Sequence, residues 1–254
     1  MKKVLLKIKN AVVYVFTALK KAIFVDDIKC ITCGKELDHS TKYGICDDCL
    51  KNLPYNDGHI CYKCGDSIPG GGSYCLNCKD TERDYEFARA PFLYEGKIKT
   101  LIYKLKYNTG KYLAPYISYL LLDEFIKQNW HVDMVVPVPL YKGREKRRGF
   151  NQAELISCKF NEVLKLPIET ENLIRKENTP TQTRLSRKER KKNLLDAFEV
   201  LDKTAFKNKD ILLIDDVFTT GATTEECSKV LKKAGARNIY ILTLAHVKQD
   251  ISYE

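Results

Sequence analysis

The chain has 254 residues, of which 44% are hydrophobic and 30% are charged. This composition is typical of a globular protein and argues against a collagen-like, disordered or membrane-embedded chain. Lys and Arg number 43 against 33 Asp and Glu, and the resulting net charge of +10 favours an anionic partner, either a phosphate compound or a nucleic acid.

Residues 1–29 predict an amphipathic helix. Apolar side chains recur on one helical face from Val4 to Ile23, and the lysines lie away from that face. The longest uncharged run, residues 10–19, is shorter than the roughly 20 residues that a membrane span needs. We therefore expect no transmembrane segment and a helix that packs on the rest of the protein. The alternative is a helix that lies on a membrane surface or on a partner.

Residues 30–79 contain four C-x-x-C pairs, arranged as two copies of one unit of about 30 residues. Two such pairs supply the four thiolates of a tetrahedral zinc site, so we predict a double zinc ribbon with two structural zinc ions. An iron–sulfur cluster is the alternative. The predicted ligands are Cys30, Cys33, Cys46 and Cys49 for the first site, and Cys61, Cys64, Cys75 and Cys78 for the second.

Thiolate metal ligands require a reducing compartment, so we expect a cytoplasmic protein. The ribbons either support the structure or contact a nucleic acid or a partner directly. The sequence leaves both roles open.

Residues 85–254 predict an α/β domain in which helices flank a parallel sheet. The apolar runs at 210–217 and 238–245 are typical of strands buried on both faces, and residues 133–139 predict a shorter strand. Helices are predicted over residues 98–122 with a break near 108–110, over 151–164 and over 223–234. An open sheet of this kind binds its ligand at the carboxyl ends of the strands.

The turn after the strand at 210–217 is the most informative stretch. Asp215 and Asp216 end the strand, and a turn rich in Thr and Gly leads into the next helix. The N–H groups at the start of a helix attract a phosphate, and adjacent carboxylates suit sugar hydroxyls. The pattern therefore predicts a sugar-phosphate site. It lacks the lysine of a P-loop, which argues against a nucleoside triphosphatase of that class.

This stretch resembles the motif with which type I phosphoribosyltransferases bind phosphoribosyl pyrophosphate (PRPP). The resemblance implies that Asp215 and Asp216 contact the ribose hydroxyls and serve as the catalytic residues. It also implies that Mg²⁺ accompanies the pyrophosphate of PRPP. The implied PRPP-binding residues are Asp215, Asp216, Val217, Thr219, Thr220, Gly221, Ala222 and Thr223.

Further motifs resemble the ComF family, which carries a double zinc ribbon before a phosphoribosyltransferase domain. They are RGFNQAEL at 148–155, TPTQT at 179–183 and LIYKLKY at 101–107. The resemblance implies a type I phosphoribosyltransferase-like sheet with a small N-terminal double zinc ribbon. It also implies a role in natural competence, in which incoming single-stranded DNA is handled in the cytoplasm. PRPP, single-stranded DNA and a helicase or translocase of the DNA-uptake machinery are the implied partners.

The resemblance places residues after Val138 in the position of the pyrophosphate loop and residues 179–193 in that of a flexible loop. Their cations could neutralise pyrophosphate or hold a DNA backbone; a solvated surface is the alternative. The candidates are Lys142, Arg144, Arg147, Arg148, Arg184, Arg187 and Arg190. Lysines and tyrosines also alternate over residues 97–112, a pattern typical either of single-strand binding or of a helix that faces the core.

Three functions follow as hypotheses. The first is a PRPP-binding protein that handles single-stranded DNA during transformation. The second is an active, Mg²⁺-dependent phosphoribosyltransferase with an unknown acceptor. The third is an adaptor that docks on the DNA-uptake machinery.

Overall fold

The computed structural model describes residues 29–37, 41–107, 110–176 and 196–248. The chain divides into two compact units, Met1–Leu50 and Lys51–Glu254. The predicted helix over residues 1–29 lies outside the described residues except for its last residue, and so do Arg184, Arg187 and Arg190. Among the described residues, no helix is both long and apolar enough to cross a membrane.

In the first unit the described residues form the turns that carry four cysteines. The Gly34 N–H donates to the carbonyl of Cys30 at 2.8 Å, and its φ of +79° is one that glycine adopts without strain. Lys29 and Glu36 form an antiparallel bridge on either side of this turn. Helix α1 (Asp47–Lys51) begins directly after Cys46.

The second unit contains a parallel sheet. Its described strands are β1 (Phe87–Arg89), β2 (Phe92–Leu93), β3 (Met134–Pro137), β4 (Leu173–Arg175), β5 (Phe198–Val200), β6 (Asp210–Phe218) and β7 (Asn238–His246). In the described residues five of them form one sheet in the order β1–β7–β6–β3, with β2 also paired to β7, and every pairing is parallel. Strands β4 and β5 form a separate antiparallel pair.

The second unit also contains helices. They are α2 (Leu76–Lys79), α3 (Gly96–Lys106), α4 (Ala114–Gln128), α5 (Lys142–Arg148), α6 (Gln152–Leu164) and α7 (Ala222–Lys233), with 3-10 turns at Gly110–Leu113 and Lys203–Phe206. Successive strand residues point to opposite faces. Ile211 and Leu213 of β6 pack with Cys227 and Leu231 of α7, whereas α6 packs on β3 and β6. The α/β prediction, with helices flanking a parallel sheet, is confirmed.

Two local features refine the sequence prediction. The predicted break near residues 108–110 lies between α3 and α4, and at Gly110 a side chain would collide with the carbonyl of Lys104. The segment that the resemblance assigned to the pyrophosphate loop contains helix α5. Its residues after Gly143 are Arg, Glu and Lys, which are good helix formers, and the helix ends at Gly149 with φ of +82°.

Candidate functional site

The two predicted sets of four cysteines come together as two separate clusters, and within each cluster the sulfur atoms lie within 4.8 Å of one another. The sulfurs of Cys33 and Cys46 are 3.8 Å apart, and those of Cys64 and Cys75 are 3.7 Å apart. A tetrahedral zinc ion with Zn–S bonds of about 2.3 Å places its sulfurs about 3.8 Å apart. The predicted sequential pairing is confirmed, and both donor sets fit zinc in number, softness and spacing.

The predicted phosphate-binding turn joins the carboxyl end of β6 to the start of α7. Gly221 precedes the helix with φ of +76°, and its carbonyl accepts the N–H of Glu225 at 2.8 Å and the hydroxyl of Thr224 at 3.0 Å. A side chain at position 221 would also lie 2.5 Å from the ring of Phe218. Glycine is therefore required twice here, for its backbone conformation and for the close approach of the ring.

The two adjacent acids point to opposite faces of the sheet. Asp216 is 4% exposed, and its carboxylate forms an ion pair with the Lys106 ammonium at 2.6 Å. The carboxylate of Asp215 accepts the N–H of Asp216 at 2.8 Å. Helix α3 thus places the ammonium of Lys106 beside Asp216. One of the two carboxylate charges at this turn is therefore neutralised before a sugar phosphate binds.

Burial and the negative charge of Asp216 raise the pKa of Asp215 to about 7, although Lys106 acts in the opposite direction. Burial alone would lower the pKa of Lys106, but the two carboxylates raise it above its ordinary value. Asp215 therefore titrates near neutral pH, which is a property of functional sites more often than of structural acids.

A basic surface lies near the same edge of the sheet. The guanidinium of Arg148 lies 5.8 Å from the ring of Tyr107, and that ring lies 4.8 Å from the ring of Tyr103. Lys111 donates to the carbonyl of Gly149 at 3.3 Å. The structure thus brings together two segments that are separate in the sequence, residues 103–111 and 144–149. We call Tyr103, Tyr107, Lys111, Arg144 and Arg148 the basic aromatic surface.

Helix α3 has one side buried in the core and another side exposed on this surface. Leu101, Ile102 and Leu105 are buried, whereas Tyr103 and Tyr107 are 63% and 48% exposed. The part of residues 97–112 that lies in α3 therefore has a core-facing side, and single-strand binding by its exposed side stays a prediction.

Cations crowd together on α5. Burial lowers the pKa of Arg144, and the neighbouring charges of Arg147 and Arg148 lower it further. Like charges held this closely favour the binding of an anion. The sequence pattern indicates these cations, but it does not indicate that Lys106 is the partner of Asp216, because 110 residues of chain separate the two.

Comparisons with known proteins agree with the cysteine pattern and extend over most of the chain. The family model for the double zinc ribbon domain matches residues 22–79. Competence protein F of Haemophilus influenzae is 32% identical over 228 residues, which is 86% of this chain and 97% of that protein. DNA utilization protein YhgH of Escherichia coli K12 is 30% identical and covers 80% of this chain, with 90% of its own length matched. Competence protein ComFC of Streptococcus pneumoniae is 29% identical, with 85% of this chain and 99% of that protein covered.

Solved structures are similar to parts of this chain at low sequence identity. Adenine phosphoribosyltransferase from Thermoanaerobacter pseudethanolicus is 13% identical with a TM-score of 0.34, covering 52% of this chain and 78% of that one. The allosteric regulatory enzyme of purine biosynthesis is 20% identical with a TM-score of 0.33, covering 50% of this chain and 24% of that one.

Proposed function

Since the chain belongs to the competence protein F (ComF) family, we propose that it binds PRPP with Mg²⁺ and handles incoming single-stranded DNA during natural transformation. The observation that carries the PRPP proposal is the turn between β6 and α7. There two adjacent acids, the half-buried Asp215 and the buried Asp216, lie near the carboxyl end of a central strand, and a helix of 12 residues begins after Gly221.

Each part of this turn has a role in the proposal. The helix start at Ala222 and the hydroxyls of Thr219, Thr220 and Thr223 hold the 5′-phosphate, since N–H groups and hydroxyls donate to phosphate oxygens. Asp215 and Asp216 orient the ribose by accepting hydrogen bonds from its hydroxyls. Mg²⁺ binds with the pyrophosphate and offsets its charge.

Lys106 links the acids to the ligand. In the described structure its ammonium neutralises Asp216 at 2.6 Å, so a ribose hydroxyl must compete with it or share the carboxylate. Once shifted, Lys106 becomes a cation beside a multiply charged phosphate ester. We therefore assign it a role in PRPP binding as well as in holding Asp216.

The DNA part of the proposal rests on the basic aromatic surface. Exposed tyrosines give bases a ring on which to stack, and nearby Arg and Lys attract the phosphate backbone without reading the sequence. Tyr112, which is 56% exposed, lies in the turn after α3 and extends the aromatic side chains available. A cytoplasmic location and a partner in the DNA-uptake machinery belong to the same proposal.

Phosphoribosyl transfer to an acceptor is a second candidate function. The observation that favours it is the near-neutral pKa of Asp215, since a carboxyl that titrates near pH 7 is suited to proton transfer in a transferase site. Release of pyrophosphate from PRPP in the presence of candidate acceptors would separate this function from binding alone.

Fluorescence anisotropy with a labelled single strand tests the DNA proposal. We expect tight binding at low salt, a steep loss of affinity with increasing salt, and a change on addition of PRPP and Mg²⁺. The variant Arg144→Ala/Arg148→Ala should reduce the salt slope by about 1.4, since each phosphate contact to a single strand contributes about 0.7. The control is Lys207→Ala/Lys209→Ala, which removes two exposed cations at the amino end of β6.

Absence of binding at low salt would refute the DNA-handling role. In that case the adaptor hypothesis, in which the chain docks on the uptake machinery with little DNA affinity of its own, would be favoured.

A further inference from the structure

The second four-cysteine cluster lies against the edge of the sheet. The N–H of Ala88 in β1 donates to the carbonyl of Lys63 at 2.8 Å, and the amide of Asn56 donates to the carbonyl of Gly65 at 2.9 Å. Any side chain at position 65 would lie 2.7 Å from the carbonyl oxygen of Ala88. The turn that carries Cys61 and Cys64 therefore meets β1 at backbone contact, and its sulfurs share one hydrophobic core with the sheet.

A first connection runs from this cluster to helix α7 through Arg83. Its guanidinium donates to the carbonyl of Asn77 at 3.3 Å, between the ligands Cys75 and Cys78, and lies 3.6 Å from the carboxylate of Glu225. The other oxygen of Glu225 accepts the N–H of Asp84 at 3.2 Å. Because Glu225 lies in the first turn of α7, this mostly buried contact ties the ligand loop to the start of the helix that the phosphate would meet.

A second connection runs through His246. Its ring is stacked on the ring of Phe218 with centroids 4.9 Å apart, and its Nδ1 lies 3.6 Å from the carboxylate of Asp66. The carbonyl of Asp66 accepts the N–H of Cys61 at 2.7 Å, so Asp66 belongs to the loop of the first ligand pair. Phe218 in turn fills the space under Gly221.

Little room separates the cluster from the turn. The cavity between them measures about 10 Å³ and is lined by Cys64, Cys78, Thr219 and Thr220, among others. A space of that size holds at most one water molecule. The cysteine loops therefore pack closely on Phe218 and the turn at this point, and we expect a displacement of the loops to reach them.

We propose that metal binding at the second four-cysteine cluster positions the phosphate-binding turn, with Arg83 and His246 as the positioning residues. The inference rests on the proposed function in one respect, namely that PRPP is the ligand of the turn. Zinc gathers four thiolates that would otherwise repel one another, and ribbons of this kind lose their structure without it. Loss of the metal then removes the supports of Phe218 and Glu225, and the turn no longer presents its N–H groups in one arrangement.

The test uses the full-length chain and compares the two clusters. Cys61→Ser/Cys64→Ser disrupts the second cluster, and Cys30→Ser/Cys33→Ser is the matched control in the other compact unit. PRPP affinity is measured by calorimetry with Mg²⁺ present, and hydrogen exchange is followed at residues 218–226. We expect the second-cluster variant to bind PRPP at least about tenfold more weakly and to exchange faster at 218–226. We expect the control variant to match the wild-type chain in both measurements.

A single substitution that leaves the cysteine ligands in place controls for a general loss of folding. Arg83→Gln should keep two zinc equivalents and normal circular dichroism, yet bind PRPP about fivefold more weakly and exchange faster at 218–226. Arg83→Lys, which keeps the positive charge, should recover part of the affinity.

Unchanged affinity and unchanged exchange in both the second-cluster variant and Arg83→Gln would overturn the inference. If the wild-type chain bound no PRPP, the proposed function would fail instead, and the exchange rates at 218–226 would still decide whether the cluster supports the turn.

Discussion

Replacing Asp215 by Asn should make the stability of the second unit less dependent on pH. Burial and the charge of Asp216 raise the pKa of Asp215 from 3.8 to about 7. Holding its carboxylate in the folded chain therefore costs about 4 kcal/mol at alkaline pH. The folded state holds this proton more tightly than the unfolded state does, so the contribution of Asp215 to stability is greatest below about pH 4 and is lost as the pH rises through 7.

Between pH 6 and pH 8 this linkage amounts to about 1.4 kcal/mol. The free energy of unfolding of Asp215→Asn, relative to the wild-type chain, should thus rise by that amount from pH 6 to pH 8. Urea unfolding can be followed by the fluorescence of Trp130, the only tryptophan, whose ring is stacked on Tyr240 of β7. Protonation of the zinc ligands affects both chains alike and cancels in the difference.

Asp202→Asn is the matched control. Hydrogen bonds from Thr204 lower the pKa of Asp202, so this exposed carboxyl stays ionised over the whole interval. The control should follow the wild-type chain at every pH. A constant difference between Asp215→Asn and the wild-type chain from pH 6 to pH 8 would refute the reasoning, because it would mean that Asp215 is fully ionised at pH 6.

Three further predictions address other parts of the site. Lys106→Met should destabilise the chain by about 2 kcal/mol in urea unfolding at pH 8, because it leaves Asp216 buried without its cation. The additional change Asp216→Asn should restore most of this stability, and no recovery in the double variant would argue against the ion pair. Gly221→Ala should lower the free energy of unfolding by about 2–4 kcal/mol and abolish PRPP binding. Gly149 has a similar φ but open space around it, so Gly149→Ala should lower the free energy of unfolding by only about 1 kcal/mol. Equal losses in the two variants would argue against the contact with Phe218. Purified, untagged protein should contain two equivalents of zinc by elemental analysis, and a content well below two without iron would contradict the assignment of both clusters.

The sequence was most informative where one local pattern decides the structure. The uninterrupted apolar runs around Leu213 and Ile241 identify strands that are buried on both faces, and the spacing of the C-x-x-C pairs determines which cysteines meet. In both cases the signal lies within about 30 residues of chain, so no knowledge of long-range contacts is needed.

Features that depend on long-range contacts were not predictable. Strands β1 and β2 have three and two residues, too few to show a period, and they exist because β7 offers them a pairing edge. The ion pair of Lys106 with Asp216 joins α3 to the carboxyl-terminal half of β6, and the contact of Arg83 with Glu225 spans an even longer stretch of chain. Each of these arises only after the sheet has brought distant segments together.

Calorimetric titration of the full-length chain with PRPP and Mg²⁺ at pH 8, where Asp215 is ionised, tests the central claim most directly. We predict saturable binding of one PRPP per chain by the wild-type protein. We also predict loss of that binding in the variant Asp215→Asn/Asp216→Asn, with both proteins retaining two zinc equivalents. Equal affinity of the two proteins for PRPP would contradict the assignment of the site.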